Sequence, residues 1–470
     1  MNNIGHRFGG RARPALKSSS RAGIPFILLL LLGGFTGCTP VPPKVIKIDK
    51  NHSFRPSTPE DVKNIDQAIA TVVTVATGDV GLPPVDSLEL WQYPSTESFR
   101  YWGARDGWIK NVVDSIAFTR GRSIHVDLEK LNGSRWDEQV GVLAHEYGHA
   151  VHAQAIVAAR GSKTVVWFDE GFAEWVRARI LDSLVWRNNE LAVRRARREL
   201  NYHREFELGV LQHIESWSLH RREPGGYVKT YVLAFMAVDY LIRSKGLPAA
   251  LEYLKTGKFE QCFGVSQSDF EAEFKKNVRQ SPKPNGANFG IQKPEWKVGY
   301  SWSYEEKQSG GMPTNVKVIE ILGIDSTAEF PVFLVKDGED DISVSMETLG
   351  VVQTRKNGRV ATHRDKPSQI LSWPLQPAKE WRNNYNVEDI ETKKSYTIDR
   401  SMVVSGVEEV RVPAGTFKAI KIEAFDNQMG SLIAEYWYAP EVRWFIRTIN
   451  YGSADTNVRE RQLVSSKINN

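Results

Sequence analysis

The strongest chemical signal in the chain is His145-Glu146-Tyr147-Gly148-His149. Two histidines four positions apart stand one helical turn above each other, so both imidazoles can face one metal ion. Glu146, directly after the first histidine, can address a water on that metal. Zinc is the expected ion, because two imidazoles and a carboxylate with an open fourth position suit it. The third ligand is sought downstream. One known zinc pattern needs glycine at 152 and histidine at 155, where this chain has His152 and Ala155. A glutamate on a following helix fits better: Glu170 lies 21 positions after His149, with Gly161 and Ser162 between them to reverse the chain. Asp169 reads as the N-cap of that second helix. Glu174, one turn beyond Glu170, is placed to accept a hydrogen bond from a ligand histidine and fix its tautomer.

These residues need particular elements to carry them. Ser134 with Asp137 resembles a capping box, and apolar Val140, Leu143, Ala144, Ala150 and Val151 then predict a mostly buried helix to about Ala159. Strand-like runs precede it at Leu88–Tyr93 and Ser115–Leu128, with Ser123-Ile124-His125-Val126 the expected edge for an extended substrate. Pro224-Gly225-Gly226 opens an apolar helix ending near Arg243, and Tyr227 and Tyr231 are four apart at its start. His152 and His125 read as packing or hydrogen-bonding residues, and Trp167 and Trp175 as core. Arg194-Arg-Ala-Arg-Arg198 reads as a solvated helix face paired with Glu190 and Glu199.

At this point the sequence resembles the gluzincin zinc metallopeptidases, and more closely the bacterial peptidase-MA-like domains, over roughly residues 88–274. The resemblance rests on His-Glu-Tyr-Gly-His, Asp-Glu-Gly-Phe-Ala-Glu-Trp and the segment from Tyr231 to Leu241, with Ala234 where such domains often carry serine. It implies His145, His149 and Glu170 as ligands of one zinc ion, Glu146 as general base and Tyr231 as the tyrosine that stabilises the transition state. It further implies an enzyme: Glu146 removes a proton as zinc-bound water attacks a peptide carbonyl, and Tyr231 donates to the oxyanion. A phenol suits that task because it is neutral at pH 7.

Composition narrows the setting. The chain has 470 residues, 41% hydrophobic and 25% charged, which excludes wholesale disorder and a polytopic membrane protein. The formal charge of +5 is local, since Arg7, Arg11, Arg13, Lys17 and Arg21 lie in the first 37 residues without any acid. The remainder balances, so no nucleic-acid partner is expected. That basic stretch leads into the short apolar run Ile24–Leu32 and then Phe35-Thr36-Gly37-Cys38, which resembles a bacterial lipobox with Cys38 as the lipidated residue. Residues 1–37 are thus expected to be a lipoprotein signal peptide and 38–58 a proline-rich tether. Cys262 then has no intramolecular partner and reads as a small buried hydrophobe.

Residues 59–280 are expected as the peptidase-like domain and 281–292 as a linker built on Ser281-Pro-Lys-Pro-Asn-Gly286. From 293 to 465 the hydrophobic period changes from 3.6 to 2, in Trp296–Trp302, Ile420–Ala424 and Ala434–Tyr438. Val412-Pro-Ala-Gly-Thr-Phe417 reads as strand, turn, strand. The expected fold class is therefore α+β: a mainly helical zincin-like domain with a small N-terminal sheet, then an antiparallel β-rich domain of open-barrel or sandwich type. The expected protein is a cell-envelope metallopeptidase, held to the membrane by its lipid and acting on a peptide or protein substrate. The alternative is a catalytically inactive, peptidase-like lipoprotein that binds or assembles through its β-domain. The sequence leaves the oligomeric state open.

Overall fold

The computed structural model describes residues 39–49, 52–104, 115–132, 134–158, 164–185, 189–203, 207–278, 289–308, 315–327, 331–451 and 458–468. The leader with Cys38, the glycine-serine reversal at 161–162 and the proline pairs at 281–286 lie outside them. Strand β1 (Lys44–Ile48) begins inside the segment read as a tether, because its backbone pairs antiparallel with β2 (Leu88–Tyr93). A mixed sheet follows in the order β1-β2-β4-β3, with β3 (Ala117–Arg120) and β4 (Ser123–Asp127) joined as a hairpin and β4 parallel to β2. Here the sequence expectation fails: β4 has a neighbour on both sides, and the edge strands are β1 and β3. His125 on β4 is buried and hydrogen-bonded to the Tyr93 hydroxyl at 2.9 Å.

Helices α1 (Ile65–Gly78), α2 (Thr96–Ala104), α3 (Leu128–Leu131), α4 (Trp136–Ala158), α5 (Val166–Ser183) and α6 (Asn189–His203) follow, and of these α2, α3 and α4 pack on the sheet. They continue as α7 (Ile214–Arg221), α8 (Leu233–Lys245), α9 (Leu247–Thr256), α10 (Phe259–Phe263) and α11 (Gln267–Val278). Two glycines set the critical spacing. A Cβ on Gly148 of α4 would stand 2.8 Å from the Ala173 Cα of α5, and one on Gly171 would stand 2.4 Å from the Ala234 carbonyl oxygen of α8. The three backbones therefore approach more closely than any side chain would permit, and α5 is pressed onto the face of α4 that carries both histidines. Trp167 and Phe168 of α5 are fully buried in the aromatic cluster beyond, as a core reading of Trp167 expects.

The C-terminal part corrects the expected fold class. Its strands are β5 (Ser301–Gln308), β6 (Asn315–Asp325), β7 (Val332–Asp337), β8 (Asp340–Ser345), β9 (Val351–Lys356) and β10 (Arg359–Arg364). They run on as β11 (Glu380–Asp389), β12 (Lys394–Val412), β13 (Gly415–Asp426), β14 (Leu432–Ala439), β15 (Trp444–Asn450) and β16 (Arg459–Lys467). Each pairs antiparallel with its neighbour, and β16 returns to β5, so twelve strands close into a barrel. It is neither open nor a sandwich. Closure removes the exposed edges that an open sheet must protect. The alternating run at Trp296–Trp302 enters the ladder only from Ser301, while Trp296 plugs the core against Trp302, Phe333 and Trp444. Barrel and helices also belong to one compact unit, Val41–Asn470, rather than to two independent modules.

The helix α6 explains that union. Arg195 pairs with Glu199 within the helix at 2.9 Å, as expected for a self-paired face. Arg194 and Arg198 instead reach barrel acids, Glu435 at 3.1 Å and Glu423 at 2.6 Å. The Glu199 carboxylate also accepts from the Leu432 backbone N–H at 2.7 Å, and Tyr202 stacks on Phe425. The arginine run is an internal clamp more than a solvated face.

Candidate metal centre

The Nε2 atoms of His145 and His149 lie 3.1 Å apart, and Glu170 Oε2 is 3.6 Å from the first and 3.8 Å from the second. Four-coordinate zinc with bonds of about 2.0–2.2 Å holds neighbouring ligand atoms about 3.3 Å apart. The three atoms therefore stand close to a zinc triad without rearrangement, and among the described residues theirs is the group suited to holding a metal.

The outer nitrogens are oriented too. His145 Nδ1 lies 3.0 Å from Glu174 Oε1, which is where the spacing on α5 put that acid. His149 Nδ1 lies 3.2 Å from Asp169 Oδ1. Both rings thus direct Nε2 inward, the arrangement carboxylate partners impose on ligand histidines. Asp169 corrects the sequence reading, since α5 begins three residues earlier and its N-cap is Val165. Its carboxylate bridges His149 and His152, with His152 Nδ1 at 2.5 Å and its Nε2 3.1 Å from the Thr164 hydroxyl. An aspartate directly before the ligand glutamate was the signal available for this role, and a capping rule obscured it.

The electrostatics favour a cation. Burial works against a charged His145, yet Glu170 and Glu174 raise its pKa to about 10. Burial likewise opposes charge on His149, yet Asp169 and Glu170 raise it to about 9. Burial would lift Asp169, but the two histidines hold it far below the usual carboxylate range. Without a metal the acids draw protons onto the imidazoles. A divalent ion answers the same demand.

Glu146 stands outside that group of three. It is 7% exposed, and the Thr119 hydroxyl on β3 lies 2.7 Å from its carboxylate and 2.9 Å from its own carbonyl oxygen. Thr119 was not legible as a site residue, because only the edge position of β3 brings it there. Tyr231 sits in a π-helical turn, Val228–Val232, immediately before α8. Its ring centroid is 6.3 Å from that of His145 and 5.7 Å from that of Tyr227, so both tyrosines do face one region. Burial, then Glu170, drives the Tyr231 pKa upward, which keeps the phenol neutral and a donor. Nearby, His203 hydrogen-bonds the Gly430 carbonyl at 2.9 Å and His220 pairs with Glu223 at 3.2 Å.

A cleft of about 600 Å3 opens in front of these groups, lined by Ile116, His145, Glu146, Tyr227 and Tyr231 from the helical part. Gln428 and Met429, on the turn between β13 and β14, form its opposite wall. The Gly225 N–H donates to the Gln428 carbonyl at 3.3 Å. Gly430, at φ +76°, lies so close that a Cβ there would be 2.4 Å from His203 Nε2. A second cavity of about 500 Å3 lies in the barrel, lined largely by apolar side chains including Ile319, Val335, Ile342 and Phe445. Its polar end carries Arg461, which pairs with Glu306 at 2.7 Å and Asp337 at 3.2 Å.

No family model matches the chain, and neither does any curated protein. Among solved structures, several match part of it, three of which are exported or lipoprotein chains. A candidate exported protein with a YmcC-like fold from Bacteroides fragilis is 13% identical, covering 39% of this chain and 100% of its own, with a TM-score of 0.25. A candidate lipoprotein from Parabacteroides distasonis is 15% identical over 38% of this chain and 97% of its own, at 0.20. The hypothetical lipoprotein YmcC from Escherichia coli is 10% identical over 37% and 87%, at 0.22. Likenesses this faint assign this chain neither fold nor activity. The resemblance to gluzincin and peptidase-MA-like metallopeptidases is nonetheless corrected. No such family matches, and the C-terminal part is a closed twelve-strand barrel, not the open or sandwich-like domain expected to follow such a peptidase. The reading as an envelope metallopeptidase cleaving peptide bonds falls with it. The geometry of the metal centre does not depend on that resemblance.

Proposed function

We propose that this chain is an envelope lipoprotein that acts as a binding module through its barrel, and that its helical part holds one zinc ion on His145, His149 and Glu170. The observation that carries the barrel reading is the 500 Å3 apolar cavity inside a closed wall, a size and character suited to the acyl or ring portion of a small amphiphile. Its polar end at Arg461 would orient the head of such a ligand. The leader and Cys38 support membrane anchoring, in accord with the exported or lipoprotein descriptions of the three neighbours. A fluorescent fatty acid titrated into the purified protein tests this. Saturable binding, lost on Ile342→Glu with zinc content unchanged, supports it; absence of binding by the wild type refutes it.

A second reading concerns chemistry at the metal, and one observation favours it: Glu146 is buried beside the three-residue ligand group, outside it, and held by Thr119. Zinc, when bound, supplies Lewis-acid charge that acidifies water. Glu146 is then the group to accept a proton, Thr119 fixes its carboxylate, and neutral Tyr231 offers a hydrogen-bond donor across the cleft. An activated ester such as p-nitrophenyl acetate is a fair probe: turnover by zinc-loaded protein should fall roughly 10²–10⁴-fold in Glu146→Gln. Equal turnover in the variant would remove Glu146 from that role.

A further inference from the structure

The charges facing the metal cleft are not balanced against one another. Its acids are engaged within the protein: Glu146 with Thr119, Glu174 with His145 and Arg177, and Glu223 with His220 at 3.2 Å and Lys229 at 3.4 Å. Two of its cations are not. Arg221 and Arg222, at the end of α7, line the cleft, and among the described residues neither forms an ion pair. Arg221 is exposed to solvent, and its guanidinium lies 5.4 Å from the centre of the Tyr231 ring, beside the metal side of the cleft. Deeper in, Arg177 lines the same cleft with a buried Nε that has no hydrogen-bond partner. Opposite stands Met429 of the barrel turn, an apolar side chain that is 47% exposed.

We propose that the metal cleft binds a ligand bearing a carboxylate or similar oxyanion, held by Arg221 and Arg222 in the cleft that the zinc position shares. Guanidinium groups are built to take such anions through paired N–H donors. Met429 and Ile116 present the apolar surfaces between which the rest of the ligand lies, so the barrel takes part in selecting what approaches the metal.

This inference rests on the zinc reading, and the test separates the two. Acetohydroxamate and succinic acid monohydroxamate share a zinc-binding head, and only the second adds a carboxylate. Titrated calorimetrically into zinc-loaded full-length protein at low salt, the carboxylate probe should bind about tenfold more tightly. That advantage should vanish in the double variant Arg221→Gln, Arg222→Gln, while acetohydroxamate affinity stays as in the wild type. Equal affinity of the two probes for the wild type, or an advantage that survives in the double variant, overturns the proposal with the zinc reading intact. If neither probe binds and no zinc is retained, the zinc reading itself has failed and the proposal goes with it.

Discussion

The metal cleft and the barrel cavity are of similar size, yet they are built by opposite means. The cleft draws its metal-binding groups from two short helical stretches, and these are polar, partnered and oriented before any ligand arrives. The barrel cavity is assembled one or two side chains at a time from strands spread over more than 140 residues, and its wall is mostly hydrocarbon. The first is organised by charge and hydrogen bonding, which demand fixed geometry. The second is organised by exclusion of water, which demands volume and shape. They should therefore respond differently to the same kinds of damage.

The sharpest break in the comparison is removal of a ligand. His149→Ala or Glu170→Ala should abolish zinc occupancy while fatty-acid binding by the barrel is unchanged, as metal analysis and fluorescence titration on the same sample would show. Next in size is Gly171→Ala. The new Cβ would meet the Ala234 carbonyl at 2.4 Å, so α5 must retreat from α8. A cost of about 1–3 kcal/mol in denaturant unfolding is expected, with weakened zinc affinity, because Glu170 moves with the helix. Glu174→Gln should lower zinc affinity about 10–100-fold without abolishing it, and Asp169→Asn should behave alike through His149. Competition with a chromogenic chelator measures both.

The junction between the two regions gives a smaller, pH-dependent effect. Burial would raise the Glu435 pKa, but Lys421 and Arg194 bring it below the ordinary value of 4.5. A carboxylate with a depressed folded pKa stabilises fully above its unfolded pKa and loses that contribution as pH falls through the folded one. Acid unfolding of the wild type should therefore carry a component below pH 4.5 that is reduced in Glu435→Gln. An unchanged acid limb would mean that the clamp does not hold the barrel.

The same contrast explains what could be read from the sequence. His145, His149, Glu170 and Glu174 were legible because helical periodicity converts spacing of four directly into a shared face. Asp169 and Thr119 were not. One was hidden by its fitness as an N-cap, and the other depends on β3, not β4, lying at an edge, which strand order alone decides. Gly148 and Gly171 lie inside the two motifs, but only the packed helices show why a side chain is excluded there. In the barrel, alternation marked β13 and β14 and the hairpin between Val412 and Gly415, as found. Closure was invisible, since an alternating strand has the same pattern whether its last neighbour is water or the first strand. The pairing of Arg194 and Arg198 with barrel acids lay beyond the sequence for a related reason: local charge pattern offers Glu190 and Glu199, while the true partners lie more than 220 residues away.

The central claim is that the helical part carries a preformed zinc centre. Elemental analysis of protein purified without chelators or added metal tests it most directly, with wild type beside His145→Ala. The account predicts one zinc per chain in the wild type and none in the variant, with both folded by circular dichroism. A folded wild type without zinc that takes none up on dialysis, or a variant that keeps its full complement, would contradict it.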